Sequence, residues 1–304
     1  MEGALSLSNP LAGVRNVCYL NSALQMATAM SKMLDSYQGS TKMDLHRLAR
    51  IKISSSQAAA PDPVALLAWI KAILPDRLRP RGRQGDAHEA LLAIITGIEE
   101  SSAEGKTATA MIYGGFISDV HCDGCNQRSR TQEPFMQFSI AFPEEGRPLT
   151  TIQDYFTQLS APEDLCGKNQ YMCATCGGLR DATKQIYVGK YPRYLIVQVL
   201  RFSGARGVKR SDRFAITPYW SGTSKGMPKY RLISVIEHMG SIGGGHYVAY
   251  GIRGQDADHS WGEERAWWRL DDDRATPISE SHLRSESMER NVYIMLYEYV
   301  GKRD

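Results

Sequence analysis

Two Cys-x-x-Cys knuckles, Cys122-Asp-Gly-Cys125 and Cys173-Ala-Thr-Cys176, are the strongest constraint on how this chain folds. Each knuckle makes a tight turn, and four thiolates at this spacing suit a tetrahedral zinc ion once two distant hairpins are brought together. A fully Cys-ligated site leaves no open position for water, so a zinc there is expected to be structural. Reduced thiols or a redox pair are the plainer reading of a single knuckle. Two in one chain favour the metal. Of the six cysteines, Cys18 and Cys166 remain.

Cys18 stands in Asn16-Val-Cys-Tyr-Leu-Asn-Ser-Ala-Leu-Gln25, followed by a long stretch without Gly or Pro. Leu20, Leu24, Ala27 and Leu34 recur at helical spacing, which predicts an amphipathic helix with Cys18 in or near its first turn. Helix N–H groups and the positive end of the dipole favour thiolate there, and thiolate is the form that attacks carbonyls. Taken alone, such a cysteine is more often a small core residue. Far downstream, Gly243-Gly-Gly-His246-Tyr-Val-Ala-Tyr250 reads as a strand opened by His246, and Ala266-Trp-Trp-Arg-Leu270 as a second strand ending in three aspartates. Antiparallel pairing of these two across the polar loop 253–265 would place Asp271 beside His246. A carboxylate there would fix the imidazole tautomer while His246 takes the proton of Cys18.

Elsewhere, Asp62-Pro63 predicts a second helix through Leu74 with Trp69 and Ile70 in the core. Asp86 and Glu89 have capping-box spacing at the head of a helix to Glu100, and Thr151 and Asp154 at the head of a short one. The near-continuous apolar run from Tyr191 to Phe202 predicts a strand buried on both faces. Further strands are expected at 230–238, 246–252, 267–270 and 292–299. Helices early, strands late and a metal-clipped sheet between them give an α+β fold. The segment 1–10 is expected to fray, and the Ser- and Ala-rich stretch after Ser54 to be a linker. Arg77, Arg79, Arg81 and Arg83 read as a solvated basic loop. A net charge of +3 gives no case for nucleic acid, and no apolar run is long enough to span a membrane, so an intracellular, monomeric protein is expected.

Four segments together resemble the ubiquitin-specific proteases, which are papain-like deubiquitinating enzymes. They are the Cys18 stretch, Gly82-Arg-Gln-Gly-Asp-Ala-His-Glu-Ala-Leu-Leu92, Gly-His-Tyr-Val-Ala-Tyr, and Trp-Trp-Arg-Leu-Asp-Asp-Asp, and the likeness runs in the family's order from Leu11 to Tyr299. The resemblance implies one catalytic domain over 1–304, with a helical thumb at about 11–110, zinc-bearing β fingers at about 111–184 and a β-sheet palm at about 185–300. It also implies cysteine-dependent hydrolysis after the C-terminal Gly-Gly of ubiquitin, with Cys18, His246 and Asp271 as nucleophile, base and orienter. Asp86, Glu89, Gly244, Gly245 and Tyr247 would hold the ubiquitin tail. The sequence departs from the family at Gly13, where an oxyanion-binding asparagine is usual, at Arg15 and Val17 around Asn16, and at Gly85, where a second glutamine is usual. Asn16 and Asp272 are the candidate substitutes at the oxyanion, beside the Cys18 N–H. Two alternatives stay open: a ubiquitin-binding module with weak or no turnover, and a protease for a ubiquitin-like modifier.

Overall fold

The structure, a computed structural model, describes residues 15–36, 68, 70–72, 74–79, 84–143, 149–203, 208–222, 226–241, 244–252 and 266–303. Gly13, Trp69, Gly243, the linker after Ser54, the loop 253–265 and most of the helix expected from Asp62 lie outside them. Of that helix, 70–72 is helical and Ile70 is buried.

Helix α1 spans Cys18–Ala29 and stops at Met30, whose φ of −80° and ψ of 58° leave the helical region. A separate helix α2, Ser31–Ser36, carries Leu34, so the periodicity that suggested one helix is divided between two. The expectation of an amphipathic α1 is also corrected. Every residue from Cys18 to Thr28 is buried, polar Asn21, Ser22, Gln25 and Thr28 included. The reason lies in layering: α1 is enclosed between the large sheet and helix α3, Ala87–Ser101, so it has no solvent face. Asp86 caps α3, its side chain accepting from the backbone N–H groups of His88 and Glu89. Helix α4, Ala103–Thr109, follows with Ser102 as its cap. Thr151 and Asp154 form the expected reciprocal capping box on helix α5, Ile152–Leu159.

The strands make two main bodies. A four-stranded antiparallel sheet orders β2 (Arg128–Phe135), β1 (Gly114–Cys122), β7 (Ala182–Lys190) and β4 (Glu163–Leu165). Beside it lies the hairpin of β5 (Tyr171–Cys173) and β6 (Gly178–Arg180). The larger sheet has eight strands. Its order is β15 (Arg274–Ile278), β14 (Trp267–Asp271), β13 (Gly244–Ile252), β12 (Pro228–Ser241), β16 (Val292–Lys302), β8 (Tyr194–Leu200) and β3 (Gln137–Ala141), with β11 (Tyr219–Ser221) also on β12. A short ladder of β9 (Phe202–Ser203) and β10 (Val208–Lys209) stands apart. Strand β3 pairs in parallel with β8, so the stretch 111–184 gives one strand to the large sheet as well as forming the smaller one.

Alternation along the central strands builds a core on each face of this sheet. Tyr194 and Ile196 of β8 and Tyr247 and Ala249 of β13 face α1 and α3. Leu195, Val197, Val248 and Tyr250 face the opposite cluster with Phe138, Phe156 and Trp220. The sheet is therefore covered on both sides, as the near-continuous apolar run of β8, interrupted by Gln198, requires.

Candidate active site

Cys18 is the first residue of α1 and is buried, 4% exposed. Val17 before it offers no side-chain cap, while its carbonyl accepts from the N–H groups of Leu20 and Asn21. The uncapped helix start leaves the dipole and its free N–H groups to act on the sulfur. Asn16 is exposed and turns the chain into the helix with a φ of 59°.

The hairpin of β13 and β14 forms as expected, with Ala249 opposite Leu270. It carries Asp271 to His246: the Nε2 of His246 lies 2.6 Å from Oδ1 of Asp271. A hydrogen bond also joins the His246 side chain to Cys18. That bond, followed by the bond and charge of Asp271, outweighs burial and raises the imidazole to about 9. Burial pushes the Asp271 carboxyl up, but the His246 hydrogen bond and the charge of Arg269 overcome it and hold it below its ordinary value. Arg269 Nη2 sits 2.7 Å from the second oxygen, Oδ2, so both oxygens of Asp271 are fixed. The sulfur at the start of the chain and the imidazole near its end thus meet. A helix-borne thiol, an imidazole and an orienting carboxylate in series are the working set of cysteine hydrolases.

Asp272 adopts a φ of 48°, uncommon for a residue with a Cβ. Asn21, one turn past Cys18, donates from Nδ2 to its Oδ1 at 2.7 Å. An ionised carboxylate has no proton to give an oxyanion, so the geometry favours Asp272 as the tie between α1 and the turn that bears Asp271.

A cavity of about 460 Å³ is lined among others by Gln84, Asp86, Glu89, Phe202, His238 and Tyr247, and Nε2 of Gln84 lies 3.7 Å from Cys18 Sγ. Asp86 is the hub of its wall. Oδ1 accepts the two α3 N–H groups, while Oδ2 accepts from the Tyr293 hydroxyl at 2.5 Å and the Tyr247 hydroxyl at 3.4 Å. Tyr247 is buried in this role, and Glu89 is exposed at the rim. Gly244 has open space around it, whereas a Cβ on Gly245 would collide with the imidazole of His238 behind it. Gly245 is thus required by what lies beneath the strand. A Cβ on Gly85 would come within 2.6 Å of the Tyr19 ring, which fills the place where a larger residue would stand.

The four knuckle sulfurs lie within 4.8 Å of one another, Cys125 and Cys173 3.7 Å apart and Cys122 and Cys176 4.0 Å apart. Tetrahedral Zn–S bonds of about 2.3 Å set sulfurs ~3.8 Å apart, which these separations match. All six cysteines are free of disulfides, and Cys166 is exposed, away from this cluster.

Three site residues carry no role in the sequence reading: Gln84, Arg269 and Asn21. Each lies inside a segment quoted above, so position could have flagged them. Their partners are 161, 2 and 251 residues away, and only that of Arg269 is hinted at by spacing.

The fold and this site define a papain-like cysteine hydrolase architecture. Residues 11–297 match the family model "Ubiquitin carboxyl-terminal hydrolase", and the chain belongs to that family. It is 26% identical to human "Ubiquitin carboxyl-terminal hydrolase 17-like protein 11" over 94% of this chain and 55% of the relative. It is 27% identical to "Ubiquitin carboxyl-terminal hydrolase 4" of Saccharomyces cerevisiae over 62% of this chain and 22% of that one. The chain spans about half the length or less of these curated relatives. Among solved structures, the Ubp8-containing SAGA DUB module bound to monoubiquitin matches with a TM-score of 0.74 at 21% identity, over 99% of this chain and 70% of that one. The same module bound to ubiquitin aldehyde gives 0.74 at 19%. These likenesses show the papain-like ubiquitin-specific protease fold. No helix among the described residues is long and apolar enough to cross a membrane.

Proposed function

We propose that this chain is a thiol-dependent deubiquitinating hydrolase that cleaves the peptide or isopeptide bond after the C-terminal glycine of ubiquitin. The observation that carries the proposal is the series Cys18, His246, Asp271, with the His246–Asp271 contact at 2.6 Å and with Gln84, which lines an open groove, 3.7 Å from the sulfur. With its proton already passed to His246, the Cys18 sulfur attacks the carbonyl carbon. The imidazolium then protonates the leaving amine as the C–N bond breaks, giving a thioester. Water, deprotonated by His246, attacks the thioester and releases the ubiquitin carboxylate and the Cys18 thiol. The Cys18 N–H at the head of α1 is the donor for the oxyanion, with Asn16 at the turn before it and Asp272 acting through Asn21.

Asp86 and Glu89 set negative charge along the groove, which suits the basic tail of ubiquitin; Tyr247 lines it beside Asp86, and Gly244 and Gly245 precede it on β13 as the backbone along which the tail would lie. The four knuckle cysteines hold a structural zinc at the end of the fingers, whose sheet supports the globular body of ubiquitin.

A ubiquitin derivative with a C-terminal electrophile tests the reading. Wild type should form a covalent adduct on Cys18, and Cys18→Ala should bind ubiquitin without one. Binding with no adduct in wild type would favour a recognition module. Turnover of a ubiquitin-like modifier exceeding that of ubiquitin by an order of magnitude would move the substrate.

A further inference from the structure

The edge of β13 nearest Cys18 is incompletely paired. β12 accompanies β13 from Gly244 to Gly251, but β14 joins it only from Ala249 to Ile252, so among the described strands none covers 244–248 on that side. At Gly245 both backbone groups are nevertheless engaged, by a single side chain. Gln84 Nε2 donates to the Gly245 carbonyl at 2.5 Å, and the Gly245 N–H donates to Gln84 Oε1 at 3.2 Å. The same Nε2 lies 3.7 Å from Cys18 Sγ.

A primary amide offers one donor group and one acceptor in one plane, the pair that an extended chain offers to a strand edge. Gln84 therefore does for Gly245 what a neighbouring strand would do. It also lines the groove. A tail entering along that groove and pairing with β13 reaches the Gln84 side chain just before the sulfur.

We propose that Gln84 is a specificity-determining gate: its amide stands in for the substrate's last peptide unit at Gly245, and only an extended tail that brings its own N–H and C=O displaces it. This rests on the reading that Cys18 cleaves after such a tail. An extended peptide replaces both hydrogen bonds it breaks, so opening costs it little. A compact electrophile replaces neither and must reach the sulfur past a side chain held at both ends. The backbone under the gate is anchored, because Asp86 caps α3 and Gly85 packs on Tyr19. The moving part is the Gln84 side chain, which is part-exposed and free of the core.

The test compares wild type with Gln84→Ala and Gln84→Met, the second keeping the length of the side chain without its polar ends. Iodoacetamide alkylation of Cys18, followed by mass spectrometry, should be about 5–10-fold faster in both variants, the worth of roughly one net hydrogen bond. On a fluorogenic C-terminal amide of ubiquitin, KM should fall and kcat/KM should rise by a clearly smaller factor, because the tail already replaces the bonds it breaks. A fall in kcat/KM, the result for a donor that serves the transition state, overturns the gate. So does an alkylation rate unaltered in the correctly folded variants. If wild type leaves the ubiquitin amide intact the proposed function fails, and the alkylation rates still decide the gate by themselves.

Discussion

Asp271 is held from two sides: His246 Nε2 stands 2.6 Å from one carboxylate oxygen and Arg269 Nη2 2.7 Å from the other. With both oxygens occupied, the carboxylate cannot rotate away from the imidazole. Asp271→Asn should leave the fold intact and lower kcat by about 10²–10⁴-fold, because the orienting charge is lost. Arg269→Met should lower kcat less, and Arg269→Lys should restore part of it. Equal activity of Asp271→Asn and wild type in steady-state assays would remove Asp271 from the mechanism.

The pH dependence of stability follows from His246. Its ordinary value of 6.5 is raised to about 9, first by the hydrogen bond with Cys18 and then by Asp271. The fold therefore favours the protonated ring. The stabilisation this gives is full below pH 6.5 and fades as pH rises through about 9. Thermal melts of wild type and His246→Gln should differ most near pH 6 and converge above pH ~9. A constant gap over that range would show that His246 contributes by packing alone.

Zinc at the knuckles should be inseparable from the stability of the fingers. Cys125→Ser or Cys173→Ser should lower metal content and melting temperature together, since structural zinc contributes directly to folding. Metal analysis that finds the same stoichiometry in the variants as in wild type would count against a four-cysteine site.

Asn21 couples stability to catalysis. It is 3% exposed and donates to Asp272 at 2.7 Å, in a turn whose Asp272 has a φ of 48°. Asn21→Ala should cost about 1–3 kcal/mol in urea denaturation. It should also reduce kcat, because the neighbouring Asp271 loses its brace to α1. A variant that loses stability but keeps its kcat would confine the contact to structure.

Deep in the large sheet, Arg231 of β12 and Glu298 of β16 form an ion pair at 2.8 Å, with side-chain exposures of 8% and 6%. Burial pushes Glu298 up, yet the Arg231 hydrogen bonds and charge, with Arg193 and Lys32, bring it below its ordinary 4.5. Its stabilisation is present above pH 4.5 and is lost as pH falls through that lowered value. Arg231→Met should cost about 1–3 kcal/mol at pH 7, because one oxygen of Glu298 loses its donors while Arg193 and Lys32 keep the other, and less in acid. Chemical denaturation at the two pH values measures the difference.

Much of this architecture can be read from local pattern, and what cannot has a common cause. The starts of α1, α3 and α5, the buried character of β8, the two knuckles and the antiparallel pairing that delivers Asp271 to His246 all follow from short-range periodicity, capping and turns. Local pattern cannot say what covers a helix, so the burial of Asn21, Gln25 and Thr28 on α1 was not visible. Nor can it pair residues across the whole chain. The parallel union of β3 with β8 and the meetings of Gln84 with Gly245 and of Asn21 with Asp272 depend on tertiary packing. Asp86 shows both levels at once, a cap legible from its spacing to Glu89 and a second set of bonds to Tyr247 and Tyr293 that is not.

The last strand lies in the middle of the large sheet, with β12 on one side and β8 on the other. A polypeptide emerging from the ribosome therefore holds two long apolar borders apart until residues 292–302 arrive to zip them together. Without residues 292–302, β12 and β8 would each be left with an exposed apolar edge, open to pairing with other chains.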